Sequence, residues 1–293
     1  MTAGNPLPPE VYVPPVLCLD TTIPPKTIWR PSSVQRASHY LGDHQAIATT
    51  VFGQKIFVDT RDIGLTPHIL VDGMWEPAVT EVFQRAVGGG MTVVDIGANI
   101  GWYSLLAASR VGEKGTVIAF EPNEDVVKLL RKSVEVNGLG NRLTVVEKGV
   151  MEKTCTLSFH KWAHHQASSN FFWNSPTREL GDFTQTVDVE CVSLDDYFRE
   201  HPRSRVDVIK IDAEGSEPRI LAGADFTLHV NPFVRIFMEF HPSYRPAIES
   251  LLRKGFRMAA IEEDATLTFL DLDQVETRPA FSMLFFSRQT ASY

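Results

Sequence analysis

Apolar and polar positions follow no period over the first 31 residues, which carry eight of the 18 prolines. Proline fixes φ and removes a backbone donor, so residues 1–32 are expected to form an extended arm with no helix interior or central strand. From Ser38 to about Asp62 two β-rich runs, AIATTVF and KIFVDT, flank Gly53-Gln54 and predict a hairpin with glycine in the turn. WEPAVTEVFQRAV then sets Val79, Val82, Phe83 and Val87 at helical spacing, and Gly88-Gly89-Gly90 ends that helix. Residues 33–90 therefore read as a small α+β cap.

Beyond Gly90 short apolar runs alternate with amphipathic segments. TVVDIG, TVIAFEP and LTVVEKGV read as strands, separated by the helical WYSLLAASRV and EDVVKLLRKSVEVNG. VDVIKIDAEG, FVRIFMEFHP, TLTFLD and FSMLFFS add four strands, with helices around Arg219–Ala222 and Pro246–Lys254. Such alternation predicts the α/β class: a mostly parallel sheet of seven strands over residues 91–293, with crossover helices. Residues Met151 to Ser193 break the rhythm, so an insertion is expected at about 153–192, on the substrate side. Phe159 to Phe183 holds six aromatics and three histidines, a density that suits a packed lid and, nearly as well, a subunit interface. His160 and His164 would pair on a metal only if they lay on a helix, and their segment reads as strand or loop.

Composition narrows the functional classes. With 28 Lys+Arg against 36 Asp+Glu the net charge is −8, which disfavours a nucleic-acid partner, whose binding relies on basic side chains. No stretch approaches the roughly 18 apolar residues of a membrane span, and the Pro-rich start lacks the charged and apolar regions of a leader, so a cytoplasmic protein with no membrane partner is expected. Cys18, Cys155 and Cys191 show neither CxxC nor zinc spacing and read as buried thiols. The chain leaves a homo-oligomer open.

The chemistry concentrates at strand ends. In VVDIGANIGWYS, Gly97 and Gly101 permit close backbone approach by a ligand ahead of a helix N-terminus. The third glycine of GxGxxG is missing, and Asp95 would repel a pyrophosphate while suiting the ammonium of an amino-acid-bearing ligand, which points to S-adenosylmethionine. Glu121, 20 residues after Gly101, ends the next strand where a carboxylate can accept from two ribose hydroxyls. Ala98 and Asn99 in the loop, Pro122 after the acid and Gly149 at the end of the third strand, against a purine, complete the candidate donor site. VIKIDAEGSEP brings Lys210, Asp212 and Glu214 to another strand end, Lys210 needing a partner inside an apolar strand. Glu214 and Glu217 also suit the start of the following helix. In MEFHP, Glu239 and His241 are two apart and expected on one face; His241, with an ordinary pKa of about 6.5, is a candidate general base. Asp212 with Glu239 is compatible with a divalent metal, although a metal-free site is expected.

These segments together, GMWEPAVTEVF, VVDIGANIGWYS, VIAFEPN, VSLDDYF, VIKIDAEGSE and the MEFHP strand, resemble the FkbM family of S-adenosylmethionine-dependent methyltransferases from about Ile69 to His241. The fourth motif reads IDAEG where the family more often has IDVEG. The resemblance implies a class I methyltransferase (Rossmann-like) fold, the methyl donor along Gly97–Gly101 with Glu121 on its ribose, and motif roles for Glu76, Asp95, Gly97, Asn99, Gly101, Glu121, Asp212 and Glu214. It also implies O-methylation of a hydroxyl on a small secondary metabolite or sugar, with His241, Asp212, Glu214 and Lys210 as candidates for base and positioning. Two other readings stand beside it: a nicotinamide-dependent oxidoreductase, and a module that binds ligand or protein without catalysis.

Overall fold

The computed structural model describes residues 37–162, 171–172, 183–203 and 205–288. The Pro-rich arm and most of the aromatic insertion, His164, His165 and Trp173 included, lie outside the described residues.

The cap is a three-stranded antiparallel meander, β1 (Ser38–Gly42), β2 (Gln45–Thr49) and β3 (Lys55–Asp59), one strand more than the expected hairpin. The β2–β3 turn contains Gly53, as expected, in left-handed backbone at φ 81°. Helices α1 (Leu65–Val71) and α2 (Pro77–Ala86) follow, and α2 buries Val82, Phe83 and Ala86.

The next elements, β4 (Thr92–Ile96), α3 (Trp102–Val111), β5 (Thr116–Phe120), α4 (Glu124–Val136) and β6 (Leu143–Val146), wind a parallel half-sheet. LTVVEKGV is not one strand: Lys148 N–H folds back on the Val146 carbonyl (2.9 Å), and β7 (Gly149–Val150) leaves for another sheet. That sheet also holds β8 (Cys155–Trp162), β9 (Phe171–Phe172) and β10 (Phe183–Val192), in the order β7-β10-β8-β9. His160 lies on a strand, and its expected partner His164 is outside the described residues. Cys155 and Cys191 are opposite one another across β8 and β10; Cys191 is buried and Cys155 partly so.

The chain then returns through α5 (Leu194–Glu200) to β11 (Val208–Ile211), α6 (Glu217–Ala222), α7 (Asp225–Val230), β12 (Arg235–Glu239), α8 (Arg245–Arg253), β13 (Phe256–Ile261), β14 (Leu267–Leu270), α9 (Leu272–Val275) and β15 (Met283–Arg288). The main sheet runs β14-β13-β15-β12-β11-β4-β5-β6, with β15 antiparallel to both neighbours. It has eight strands where seven were expected. FRMAAI is the addition; only Lys254 and Gly255 separate it from α8, so its apolar residues merge with the helical pattern.

Residues alternate between faces. Val93 joins the apolar cluster beneath the cap, α3 and α4, whereas Val94 and Ile96 join the cluster on the opposite face. The chain moves from β4 outward to β6, then returns to place β11 on the other side of β4. That reversal opens a crevice at the carboxyl ends of β4 and β11, where open α/β sheets bind ligands.

Candidate active site

A cleft opens at those strand ends, lined on one side by the Gly97–Ile100 loop, Glu121 and Gly149 and on the other by Glu76, Lys210, Asp212, Glu214 and Glu239.

Glu121 ends β5 and is buried. One oxygen accepts the Asn99 N–H and the other the Asn123 N–H, both at 2.9 Å. These bonds fix the carboxylate while leaving each oxygen further acceptor capacity. Burial pushes its pKa up to about 7 against the pull of the two N–H groups. Pro122 and Ala98 also line this side.

Gly97 (φ 73°) and Gly101 (φ 96°) both adopt left-handed backbone, for a reason the sequence did not disclose. A Cβ at Gly97 would lie 1.8 Å from the Asp212 carbonyl oxygen, and one at Gly101 2.2 Å from Leu130 Cδ1. The direction each glycine keeps free is taken by protein, so the pair lets β4 pack against the loop after β11 and α3 against α4. Non-glycine residues adopt the same region at Glu76 (φ 42°), Asn99 (φ 53°) and Glu214 (φ 52°), all three on the cleft wall. Each costs on the order of 1–2 kcal/mol, a strain that folds concentrate at functional sites.

Asp95 departs from expectation. It is 1% exposed and is not among the residues lining the cleft. Ser104, one turn into α3, donates to its Oδ2 (2.6 Å), and its Oδ1 has no hydrogen-bond partner among the described residues. Lys210 is its register partner on the neighbouring strand. Burial raises the Asp95 pKa, with Lys210 and Ser104 opposing. Asp95 thus lies buried behind the cleft-lining residues, beside Lys210.

Lys210, 2% exposed, donates to Asp212 Oδ2 (2.9 Å) and lies 4.5 Å from the Tyr103 ring centroid. Burial disfavours its ammonium, but Asp212, Asp95 and Glu76 more than offset this and hold its pKa above the ordinary lysine value. Glu76, at the N-cap of α2, accepts from the Tyr103 hydroxyl (2.6 Å); burial and Asp212 raise its pKa. Glu239 at the end of β12 is pushed up to about 10, by burial and then by Asp212, Glu214 and Glu217, so it carries its proton at neutral pH.

His241 is not brought to the cleft with these groups. β12 stops at Glu239, so the alternation that would have aligned the two side chains stops as well. His241 caps the 3₁₀ turn Pro242–Tyr244, its Nδ1 accepting the Ser243 N–H (3.2 Å) and lying 2.8 Å from Ser243 Oγ. Among the described residues no group of three or more His, Cys, Asp or Glu is arranged to hold a metal ion. Conversely, Trp75 and Tyr103 line the cleft although neither was singled out. Both lie inside quoted motifs, next to Glu76 and in VVDIGANIGWYS, and that position was the available signal.

A sheet in this order with β15 antiparallel, a glycine loop after β4 and a buried acid ending β5 define a class I methyltransferase. Comparison with known proteins makes the class specific. The model described as the methyltransferase FkbM domain matches residues 95–258, more than half of the chain, and the chain belongs to that family. Methyltransferase sdnD of Sordaria araneosa is 29% identical over 190 residues, covering 56% of this chain and 73% of that protein. Methyltransferase 1 of Beauveria bassiana is 25% identical over 188 residues, 59% of this chain and 74% of the other. Among solved structures, a precorrin-6y C5,15-methyltransferase from Geobacter metallireducens aligns at a TM-score of 0.40 and 16% identity, over 72% of this chain and 86% of that one. The reaction class is methyl transfer, and the oxidoreductase reading is set aside. Among the described residues no helix is long and apolar enough to cross a membrane.

Proposed function

We propose that the protein transfers the methyl group of S-adenosylmethionine to a hydroxyl of a small polar acceptor. The observation that carries this reading is Glu121: a buried carboxylate at the end of β5, oriented by two backbone N–H groups and lining the cleft. Its remaining acceptor capacity matches a ribose diol. Gly149, with Val126 across the cleft, suits an adenine, and the Gly97–Ile100 loop suits the amino-acid portion.

S-adenosylmethionine supplies a methyl group on a sulfonium that is its own leaving group. What remains for the chain is to hold the acceptor oxygen in line with that carbon and to take up its proton. We assign proton acceptance to Asp212 and Glu214. Glu239, protonated at neutral pH, donates a hydrogen bond to the acceptor. Lys210 supports Asp212 from beneath, and His241 is left to the turn after β12. With Glu239 protonated, the acids Glu76, Asp212 and Glu214 still outnumber Lys210 on the acceptor side, which favours a neutral or cationic acceptor over a phosphorylated one.

Calorimetric titration of the chain with S-adenosylmethionine and S-adenosylhomocysteine tests the donor assignment. Both are expected to bind, and Glu121→Ala is expected to weaken them about 100- to 10,000-fold, the loss of two hydrogen bonds to a charged group. Equal affinity in the variant would remove Glu121 from the donor site.

A further inference from the structure

Asp95, the acid expected to meet an ammonium, is buried behind the cleft wall, and Glu76 is the cleft-lining carboxylate without a part in ribose binding or proton transfer. Glu76 stands at the N-cap of α2 in left-handed backbone, yet its side chain caps no N–H of that helix. Its Oε2 instead accepts from the Tyr103 hydroxyl (2.6 Å), and among the described residues this is the one hydrogen bond the carboxylate accepts. Tyr103 is buried in the first turn of α3, two residues beyond Gly101. Helical side chains lean toward the N-terminus of their helix, so the bond draws Glu76 toward the Gly97–Ile100 loop. Trp102, the neighbour of Tyr103, fixes the same corner of the cap: its indole donates to Thr80 Oγ1 (2.9 Å), which donates to the Trp75 carbonyl (2.7 Å). Consecutive residues of α3 thus hold Trp75 and Glu76, both on the cleft wall, against the helix that leaves the glycine loop. The other acids are placed differently: Asp212 is paired with Lys210 (2.9 Å), and Glu239 ends β12, two strands from β4.

We propose that Glu76 takes the α-ammonium of S-adenosylmethionine, and that Tyr103 is the positioning residue that presents it. This rests on the donor reading given above. Oε2 is held by the tyrosine, and the carboxylate's remaining acceptor capacity suits an N–H of the ammonium in a charge-assisted bond. Tyr103 engages Glu76 by its hydroxyl and the Lys210 ammonium by its ring face, 4.5 Å from the centroid, so one side chain orders both groups. With Glu76 occupied by the donor, Asp212 and Glu214 remain to face the acceptor.

The test is calorimetric titration of the full chain with two probes: S-adenosylhomocysteine, and its analogue in which 4-thiobutanoate replaces homocysteine, so that only the α-amino group is missing. Glu76→Gln keeps the shape and removes the charge. It is expected to weaken S-adenosylhomocysteine about 10- to 150-fold, the loss of one hydrogen bond to a charged group, while the affinity of the analogue stays within about threefold. Tyr103→Phe removes only the hydroxyl and is expected to weaken S-adenosylhomocysteine about 3- to 10-fold, again sparing the analogue. Because the tyrosine acts through the carboxylate, adding Tyr103→Phe to Glu76→Gln should cost little more. Unchanged S-adenosylhomocysteine affinity in Glu76→Gln would overturn the proposal, as would equal weakening of both probes, the mark of a merely structural role; additive losses in the double variant would remove Tyr103 from it. Failure of the donor reading looks different, since the wild-type chain would then bind neither probe.

Discussion

At the scale of single residues, the site is governed by where carboxylates sit relative to water, and Glu121 shows the consequence for pH. Its folded-state value of about 7 lies above the ordinary 4.5, so the folded chain holds a proton that the unfolded chain releases between those values. That contribution to stability is complete below pH 4.5 and is lost as pH rises through 7. From this group alone the ligand-free protein is expected to be about 1 kcal/mol less stable at pH 8 than at pH 6. Donor binding should run the opposite way, since ribose hydroxyls donate to the ionised form, and affinity should rise through pH 7. Melting temperatures of the wild type and Glu121→Gln at both pH values, paired with S-adenosylhomocysteine titrations, check both signs; identical pH slopes in the two proteins would refute the linkage. Glu121 was legible in the sequence because a βαβ spacing fixes which strand end an acid occupies. The depth of Asp95 and the departure of His241 from the cleft wall were not legible, because spacing does not report depth. Ser104 and Lys210 draw Asp95 behind the cleft, and the end of β12 releases His241 from the strand's alternation.

At the scale of elements, the loop between β4 and α3 is shaped by its neighbours as much as by any ligand. The two glycines differ in what confines them, and the difference predicts unequal costs. At Gly97 the obstacle is the Asp212 backbone carbonyl, which cannot move without shifting the loop that carries Asp212 and Glu214. At Gly101 it is the tip of the Leu130 side chain, which can change rotamer. Gly97→Ala is therefore expected to cost more than about 4 kcal/mol and to abolish donor binding, and Gly101→Ala about 1–3 kcal/mol with binding retained. Denaturant midpoints and calorimetry on the two variants check this, and equal costs would contradict it. All seven strand segments anticipated in the main sheet are present; the parallel ones, β4, β5, β6, β11 and β12, were legible because parallel strands write themselves as short apolar runs between glycines and helices. The departures occur where a connection is too short to leave a mark: two residues before β13, and the fold-back at Lys148 that splits one apolar run between two sheets. Glu217 looked like an ordinary helix-start acid, yet its carboxylate accepts the Ala213 and Gly215 N–H groups; sequence position does not tell whether a carboxylate turns toward its own helix or the preceding loop.

At the scale of the whole molecule, the cap and the sheet share one core. Phe83 of α2 packs edge-on against Tyr103 of α3 (5.0 Å) and Phe237 of β12 (5.3 Å). Gln54 in the β2–β3 turn donates to the Leu105 carbonyl and to Ser109 Oγ, both at 2.6 Å; Trp102 donates to Thr80 (2.9 Å), and Arg235 to the Ala86 carbonyl (2.7 Å). The cap also supplies Glu76 to the cleft, so it cannot come away without exposing apolar surface on α3 and dismantling the acid cluster around Lys210. Such coupling predicts that cap and sheet unfold together, in a single calorimetric transition whose van't Hoff and calorimetric enthalpies agree. S-adenosylhomocysteine at about 100 times its dissociation constant should stabilise that one transition by about 2.7 kcal/mol, a rise of roughly 4–5 °C for a chain of this size. Phe83→Ala, a cavity opened at the junction, should lower the same transition by about 3–5 kcal/mol without splitting it. A cap that melted first, as a separate low-temperature peak insensitive to the nucleoside, would mean that Glu76 reaches the cleft from an independently stable unit and that the acid cluster is not part of the cooperative core.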